Sequence, residues 1–410
     1  MNASVLFDPA DPALHVDPYS VYRRLQSEAP VYWCDLGFWV ASRYNDIAEL
    51  FRDRSFGQGE FIDNIRIFYG DDFDVMAQPA YRWLSKIFVM QDPPDHTRMR
   101  GLITKALSAK RVAAMEPRIA EICARLLGDL AGRDEVDFVH EFAYKLPTLV
   151  MCDMLGLTAE EYSDEMLTEL NQAIADSFLV FETRALEPDE LDRANRQIEL
   201  LNEYFGELFE RRRKQPREDL ATALVSSREG RDQLTHEELV TSTIGMFGAG
   251  FETTAHMIGN GLLALHQHPD QWRALVQEPS LAASATEEIL RYDSSLQATY
   301  RTALRDNRVG GQPVDAGQRV LLLLAAANRD PDVFMEPERF DIRRSDVKTL
   351  GFGGGIHFCI GAALARLEGK VTFEQLATKM PAMEADTENP RWREGFLFRG
   401  LSELPVRTVA

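Results

Sequence analysis

The segment Phe352-Gly353-Gly354-Gly355-Ile356-His357-Phe358-Cys359-Ile360-Gly361 carries the most information about this chain. Its glycines and single cysteine lead directly into Ala362-Ala363-Leu364-Ala365-Arg366, a run typical of a helix. A cysteine at the start of a helix meets unpaired N–H groups and the positive end of the helix dipole, and both favour the thiolate. Gly361 lacks a Cβ, so a flat and bulky group can lie close to the backbone there.

A thiolate on a glycine loop, with no second cysteine nearby, suits the axial ligand of a haem iron. The alternative is a glycine-rich loop around an inert, buried cysteine. The other cysteines, Cys34, Cys123 and Cys152, are far apart in sequence and form no C-x-x-C pair. That spacing fits a reducing cytosol and excludes a cysteine-clustered zinc or iron–sulfur site.

The composition is that of a globular protein with a sizeable core. Hydrophobic residues make up 45% of the 410 residues and charged residues 27%. The net charge of −20 argues against nucleic acid or an anionic membrane surface as a general partner. The first residues show neither a basic, apolar leader nor a membrane anchor, so we expect a soluble, cytoplasmic protein. Because nothing in the sequence reads as a linker, we expect one domain over residues 1–410.

Periodicity predicts a mainly α chain with small β-sheets at its edges. The predicted helices are Pro18–Ser27, Arg111–Leu130, Leu191–Lys214 and His236–His266, and the predicted strands are Phe38–Ala41 and Arg319–Leu324, with a hairpin over Val309–Val314. The helix that begins at His236 is long for a globular protein.

This long helix contains the run Ala249-Gly250-Phe251-Glu252-Thr253-Thr254. Each glycine in a helix interior costs about 1 kcal/mol relative to alanine, and one reason to tolerate it is a flat group passing close to the backbone. A threonine can hydrogen-bond a carbonyl one turn back and open the helix locally. The acid beside the alcohol is then a plausible proton-delivery pair, and the alternative is a kink without chemistry.

Several charged residues form weaker patterns. Glu288 and Arg291 are three residues apart and share a helix face, as do many exposed pairs of little energetic value. His96 and Arg100 can converge on one anion if their segment is helical. Arg301 and His357 are further isolated cations, and arginine forks suit carboxylates such as haem propionates.

Together and in this order, these motifs resemble the cytochrome P450 family in its soluble bacterial form. The resemblance covers nearly the whole chain, and the cysteine loop is its most specific part. The further motifs that carry it are Asn328-Arg329-Asp330-Pro331, Pro337-Glu338-Arg339-Phe340 and Arg399-Gly400-Leu401-Ser402-Glu403-Leu404-Pro405.

The resemblance implies a triangular, helix-rich prism that holds haem b (iron protoporphyrin IX) between a long distal helix and a proximal cysteine-loop helix. Cys359 would be the thiolate ligand of the iron, and Glu252 with Thr253 would relay protons. Glu288, Arg291 and Arg339 would form a buried ion network on the proximal side. The other residues expected at the haem are His96, Arg100, Arg301 and His357 as propionate partners, and Ala249, Gly250, Phe352, Gly353 and Gly361 along its faces.

The same resemblance implies a pocket for a small apolar substrate. Its expected lining is Phe68, Trp83, Phe178, Leu179, Phe247, Ala249, Leu296, Gln297, Leu397 and Phe398. Electrons would come from a ferredoxin or flavodoxin with its NAD(P)H reductase, because the chain has no room for a further redox domain. We expect a monomer whose docking face is locally basic, with Lys105, Arg111 and Arg366 as candidates.

Three functions fit this resemblance. The favoured one is a monooxygenase that inserts one oxygen atom from O₂ into its substrate. The second is a peroxide-driven haem enzyme, although that branch of the family usually lacks the acid–alcohol pair. The third is a haem-thiolate binding or sensing protein without oxygen chemistry, which Thr253 disfavours.

Overall fold

The computed structural model describes residues 6–157, 163–182, 184–345 and 347–408. Contacts between residues divide the chain into two compact units. Unit 1 comprises residues 1–59, 123–143 and 253–410, and unit 2 comprises residues 60–122 and 144–252.

Helices dominate the described residues. The α-helices are α1 Ala13–Val16, α2 Pro18–Glu28, α3 Tyr44–Leu50, α4 Phe61–Tyr69, α5 Pro79–Leu84, α6 Asp95–Ala106, α7 Ala109–Ala114, α8 Glu116–Leu130, α9 Lys145–Met154, α10 Asp164–Phe178, α11 Pro188–Lys214, α12 Leu220–Ser226, α13 His236–Gln267, α14 Pro269–Gln277, α15 Ala282–Tyr292, α16 Leu324–Ala327 and α17 Ala362–Lys379. Short 3₁₀ turns cover Val75–Ala77, Phe88–Met90, Leu179–Phe181, Pro279–Leu281 and Gly355–His357, and one π turn covers Val139–Ala143.

The strands are short. They are β1 Val31–Cys34, β2 Phe38–Ala41, β3 Phe56–Gly57, β4 Val136–Asp137, β5 Arg228–Glu229, β6 Asp232–Gln233, β7 Ala298–Ala303, β8 Asn307–Val309, β9 Gln312–Val314, β10 Arg319–Leu323, β11 Glu384–Ala385, β12 Arg391–Trp392, β13 Leu401–Glu403 and β14 Pro405–Arg407. The mainly α fold with small sheets is therefore confirmed.

The largest sheet lies in unit 1 and has the strand order β1-β2-β10-β7-β3. Its pairs are antiparallel except for β2 with β10, which run parallel with Val320 opposite Trp39. Val320 and Leu322 point into a fully buried apolar cluster with Ile47, because alternate residues of a strand share one face. This sheet carries Arg301 on β7, opposite Val320 of β10.

Unit 2 consists of helices and the hairpin β5–β6. Its long helix α11 begins with a capping box, in which Glu187 and Glu190 accept each other's backbone N–H, and ends with basic residues over the last turn. The buried Arg212 of α11 pairs with Asp219 and donates to the carbonyl of Gly156 at 2.7 Å. This buried pair joins the end of α11 to the start of α12 because Asp219 also caps that helix.

Most predicted elements are present, with one interruption. The predicted helix over Arg111–Leu130 is two helices, α7 and α8, with Met115 between them. Pro117 explains the break, since its ring and missing N–H are tolerated only in the first turn of a helix. None of the described helices is long and apolar enough to cross a membrane.

Candidate functional site

The cysteine loop presents its thiol at the surface of unit 1. The backbone N–H of Cys359 donates to the carbonyl of Phe352 at 2.9 Å, and α17 begins three residues later with Gly361 as its N-cap. Cys359 is exposed, whereas the other three cysteines are buried. Burial raises the pKa of Cys123 and of Cys152 to about 12, and it also raises the pKa of Cys34. Among the described residues, Cys359 is therefore the one accessible thiol.

The loop glycines serve different purposes. A Cβ on Gly355 would lie 1.8 Å from the carbonyl oxygen of Phe51, and one on Gly354 would lie 2.8 Å from the Phe51 ring. Gly353 and Gly355 also have φ angles of +68° and +61°, which favour glycine. By contrast, a Cβ on Gly361 would meet, among the described residues, the Cys359 sulfur alone, at 3.9 Å. Packing within the protein thus explains Gly354 and Gly355, and it leaves open space beside the sulfur at Gly361.

Glu288 and Arg291 form a fully buried ion pair in unit 1. Two parallel bonds of 2.8 Å join the guanidinium to the carboxylate, and Arg291 also donates to the carbonyls of Asn328, Pro337 and Arg339. Every side-chain donor of Arg291 is thereby used.

The third charged side chain of this network is Arg344, and the expectation for Arg339 was wrong. The Arg339 side chain is 58% exposed and pairs with Glu336 at 3.2 Å, so only its backbone carbonyl reaches Arg291. Arg344 is 14% exposed and its Nε lies 3.2 Å from Glu288 Oε2. Arg344 follows Glu288 by 56 residues, and no local pattern in the sequence could indicate that pairing.

The expected propionate partners occupy different units. His96 and Arg100 lie on α6 of unit 2 four residues apart, so the helical spacing assumed from the sequence is present. His96 is buried and its ring lies 6.2 Å from that of Phe88. In unit 1, the buried Arg301 places its guanidinium 5.3 Å from the Phe51 ring centre, and His357 is half-buried in the cysteine loop.

An open stripe runs along the buried helix α13. Ala249 is exposed, and Gly245, Met246 and Thr253 are half-buried, although most of their neighbours on the helix are buried. Gly250 is also half-buried, but a Cβ there would lie 3.0 Å from the Met151 sulfur, so its side-chain position faces packed protein. Positions 245, 249 and 253 are four residues apart and share one face. This accessible face is suited to a flat ligand. Met246 belongs to it but was missed, although its spacing of three and seven residues from 249 and 253 indicates the same face.

The acid and the alcohol differ in their exposure. Glu252 is buried, at 2% exposed, whereas the neighbouring Thr253 is half-buried on the open stripe. The two side chains thus lie at different depths of the same helix turn. Thr253 is therefore the more accessible of the two side chains.

Two of the pocket residues expected in unit 2, Trp83 and Phe178, belong to an aromatic cluster. Trp83 and Phe178 have ring centres 5.9 Å apart, and Phe181 lies within 6.1 Å of both. The indole N–H of Trp83 donates to the carbonyl of Thr241 on α13 at 3.2 Å, which fixes the cluster to that helix. Leu179 and Phe68 are half-buried.

Phe247 lies in a different environment. It is fully buried against Phe205 of α11, with ring centres 5.9 Å apart, so its side chain belongs to the core of unit 2.

The pocket residues expected in unit 1 lie together. Leu296 and Phe398 form an isolated antiparallel bridge, and the N–H of Gln297 donates to the carbonyl of Leu397 at 2.9 Å. The Gln297 side chain is buried, accepts from the Tyr22 hydroxyl at 2.8 Å and donates to the Ser294 carbonyl at 2.6 Å. Those bonds give Gln297 a structural role at this position.

The aromatic cluster explains one glycine of α13. A Cβ on Gly248 would lie 2.2 Å from Phe178 Cε2 and 2.9 Å from Ile174 Cγ2, whereas one on Gly245 would lie at an ordinary 3.5 Å from Ile87. Gly248→Ala is therefore expected to displace the Phe178 ring and lower the free energy of unfolding by about 1–3 kcal/mol. Thermal and denaturant unfolding would measure this loss.

Gly245→Ala is the matched control, because it adds the same methyl group to the same helix without a clash. It should keep or raise the stability by up to about 1 kcal/mol, since alanine favours the helix. Equal stability of the two variants would contradict the close packing at Gly248.

Comparisons with a family model and with known proteins indicate the same family. A family model described as Cytochrome P450 matches residues 60–379. Vitamin D(3) 25-hydroxylase of Pseudonocardia autotrophica is 37% identical over 399 residues, which cover 95% of this chain and 93% of that protein. 6-Deoxyerythronolide B hydroxylase of Saccharopolyspora erythraea is 32% identical over 406 residues, covering 96% and 97%.

Among solved structures, this chain is similar to P450BioI in complex with hexadec-9Z-enoic acid ligated acyl carrier protein. The TM-score is 0.88 at 32% identity, with 97% of this chain and 99% of that chain covered.

Proposed function

This chain belongs to the cytochrome P450 family and is a monooxygenase, and we propose that it inserts one oxygen atom from O₂ into a small apolar substrate with electrons from an external ferredoxin or flavodoxin. The observation that carries the proposal is the exposed Cys359 at the start of α17, in a protein whose other thiols are buried. The curated relatives include two hydroxylases.

Haem is the cofactor that the family implies, and we propose the haem b form. The residues present fit it: Cys359 is an accessible thiol, Gly361 leaves space beside the sulfur, and α13 has an open face at Ala249. Cys359 would hold the iron, and Phe352, Gly353 and Gly361 would surround that face of the cofactor, while His96, Arg100, Arg301 and His357 would bind its propionates. When bound, haem supplies the redox chemistry that activates O₂.

We assign proton delivery to Glu252 and Thr253. The buried Glu252 carboxyl is shielded from bulk water, and the half-buried Thr253 hydroxyl lies on the open face of α13. Thr253 Oγ1 can donate a proton toward the reaction site and take one back, while the carboxyl sets the supply. In this role the threonine orients the proton and the acid provides it.

The substrate we propose is a small apolar molecule. Apolar side chains are available in both units: the aromatic cluster of Trp83, Phe178 and Phe181 lies in unit 2, and the paired Leu296 and Phe398 lie in unit 1. Ligand pockets are usually lined by such groups with few polar contacts. Ala249, Leu179, Leu397 and Phe68 would complete the lining.

We propose that the electron donor is separate from this chain and that the protein acts as a cytoplasmic monomer. Lys105 is an exposed base, although its Nζ donates to the Arg228 carbonyl at 2.6 Å, and Arg111 is half-buried. An acidic ferredoxin would need such basic groups locally, because the net charge of −20 repels it at long range.

Thr253→Ala is expected to uncouple the reaction while leaving the fold, haem spectrum and substrate affinity nearly unchanged. The loss of a hydroxyl removes little packing but deprives the site of its proton donor. NAD(P)H consumption should continue while product per NAD(P)H falls and hydrogen peroxide rises. The measurement counts product, peroxide and NAD(P)H in one vessel with a ferredoxin pair and a substrate that shifts the haem spin state.

Thr254→Ala is the control, because Thr254 is the adjacent threonine but is buried away from the open stripe. The Thr254→Ala variant should form as much product per NAD(P)H as the wild type. Full coupling of Thr253→Ala would show that protons do not pass through this hydroxyl. Turnover with hydrogen peroxide and no NAD(P)H, at the same rate, would favour the peroxide-driven alternative.

A further inference from the structure

The guanidinium of Arg366 on α17 packs against the ring of Phe352, the first residue of the cysteine loop. The guanidinium carbon is 4.5 Å from the centre of the Phe352 ring, a distance typical of a cation–π contact. Arg366 is 38% exposed, and Phe352 is half-buried beneath it. The charge is therefore placed beside the loop and is partly removed from water.

Glu287 of α15 fixes the orientation of this guanidinium. Arg366 Nε donates to one carboxylate oxygen, and Nη2 donates to the other at 3.2 Å. Such a two-pronged contact uses the planar fork of arginine and cannot be reproduced by lysine. The next residue, Glu288, is held by its buried pair with Arg291, so α15 presents Glu287 from a fixed position.

Phe352 connects this charge to Cys359. The Phe352 carbonyl accepts the backbone N–H of Cys359 at 2.9 Å, while the ring of the same residue contacts Arg366. Phe352 also lies 6.3 Å from the Phe358 ring, next to the cysteine. Phe352 therefore links the guanidinium of Arg366 to the backbone of Cys359 through a single residue.

We propose that Arg366 is a positioning residue of the cysteine loop whose charge, oriented by Glu287, raises the reduction potential of the haem bound at Cys359. This inference rests on the proposed function, in which Cys359 ligates the iron. A nearby cation favours the state that has gained an electron, and hydrogen bonds and charges around a metal's ligand tune its potential. Arg366 would then act on the cofactor rather than serve as a contact for the electron donor.

Three variants test the proposal through the direction in which each shifts the reduction potential of the haem. Arg366→Leu removes the cation and should lower the ferric/ferrous potential of the holoenzyme. Glu287→Gln removes the anion and should raise it. Arg366→Lys keeps the charge without the fork or the planar stack, so its potential should fall between those of the wild type and Arg366→Leu. Spectroelectrochemical titration with chemical mediators measures all of them without a protein donor.

Lys379→Leu is the control for loss of one positive charge from the same helix. It lies at the last residue of α17, thirteen residues and about 20 Å beyond Arg366, so screening should leave the potential unchanged. A wild-type potential in Arg366→Leu would overturn the proposal and leave Arg366 a docking residue. The proposal would also be overturned if the reduction potentials of Arg366→Leu and Glu287→Gln shifted in the same direction, because that would indicate a disturbed loop.

Failure of the underlying function would look different. The wild-type protein would then lack the thiolate-type spectrum of the reduced carbon monoxide complex, whatever the variants do. If Arg366→Leu binds no haem, a higher potential in Glu287→Gln and a lower potential in Arg366→Lys, each relative to the wild type, decide the matter. A potential for Arg366→Lys equal to the wild type, with no rise in Glu287→Gln, would contradict the proposal.

Discussion

Cys359→Ser is expected to abolish the long-wavelength Soret band of the reduced carbon monoxide complex, together with monooxygenase activity. The band requires electron donation from a thiolate, and the serine hydroxyl cannot supply it. Cys359 is the exposed thiol of the chain, so no other cysteine can take its place without unfolding. The spectrum of the dithionite-reduced protein under carbon monoxide measures the effect directly.

Cys123→Ala is the matched control, because it also removes a thiol but one that is fully buried. This variant should retain the band, and it should lower only the free energy of unfolding. A Cys359→Ser variant that kept both band and activity would place the axial ligand elsewhere, and the proposed function would have to be withdrawn.

Glu288→Ala is expected to yield little folded, haem-loaded protein. It leaves Arg291 fully buried without its carboxylate, and breaking a buried pair in this way costs about 3–5 kcal/mol. That is roughly a fifth or more of the 5–15 kcal/mol by which a typical domain is stable. Soluble yield, haem content per protein and the midpoint of denaturant unfolding measure the loss.

The exposed pair of Glu278 with Arg343 provides the comparison. Its side chains are 49% and 54% exposed, so Glu278→Ala should change the free energy of unfolding by less than about 1 kcal/mol. If Glu288→Ala were as stable as Glu278→Ala, the buried network would not support the fold in the way its geometry indicates.

The sequence predicted those features that depend on local patterns. Helices such as Leu191–Lys214 and His236–His266 appear within a few residues of their predicted ends, because their apolar spacing and caps are local signals. The position of Cys359 just before a helix also follows from the glycine loop and the alanines after it.

Features that depend on packing between distant segments could not be predicted. Arg344 rather than Arg339 reaches Glu288, although Arg339 belongs to the recognisable motif. Gly248 leaves room for the Phe178 ring of another helix, and nothing in the sequence around Gly248 indicates that contact. Gln297 was expected to face the substrate, yet its amide is bonded to Tyr22 and Ser294. Each of these contacts is decided by the three-dimensional arrangement of side chains that no local pattern encodes.

The contact of Gly354 and Gly355 with Phe51 has a consequence for directed evolution. Both glycines lie within six residues of Cys359, so a library aimed at new oxidation chemistry would naturally randomise them. Any side chain at 355 collides with the Phe51 carbonyl, at 1.8 Å for the Cβ alone, so most members would be lost as unfolded protein. Phe51 comes from the distant N-terminal part of the sequence, and a screen that ignored it would mistake lost folding for lost catalysis. Libraries that vary the exposed side chains at 356 and 358, while leaving 354, 355 and 361 fixed, should keep a much larger share of folded members.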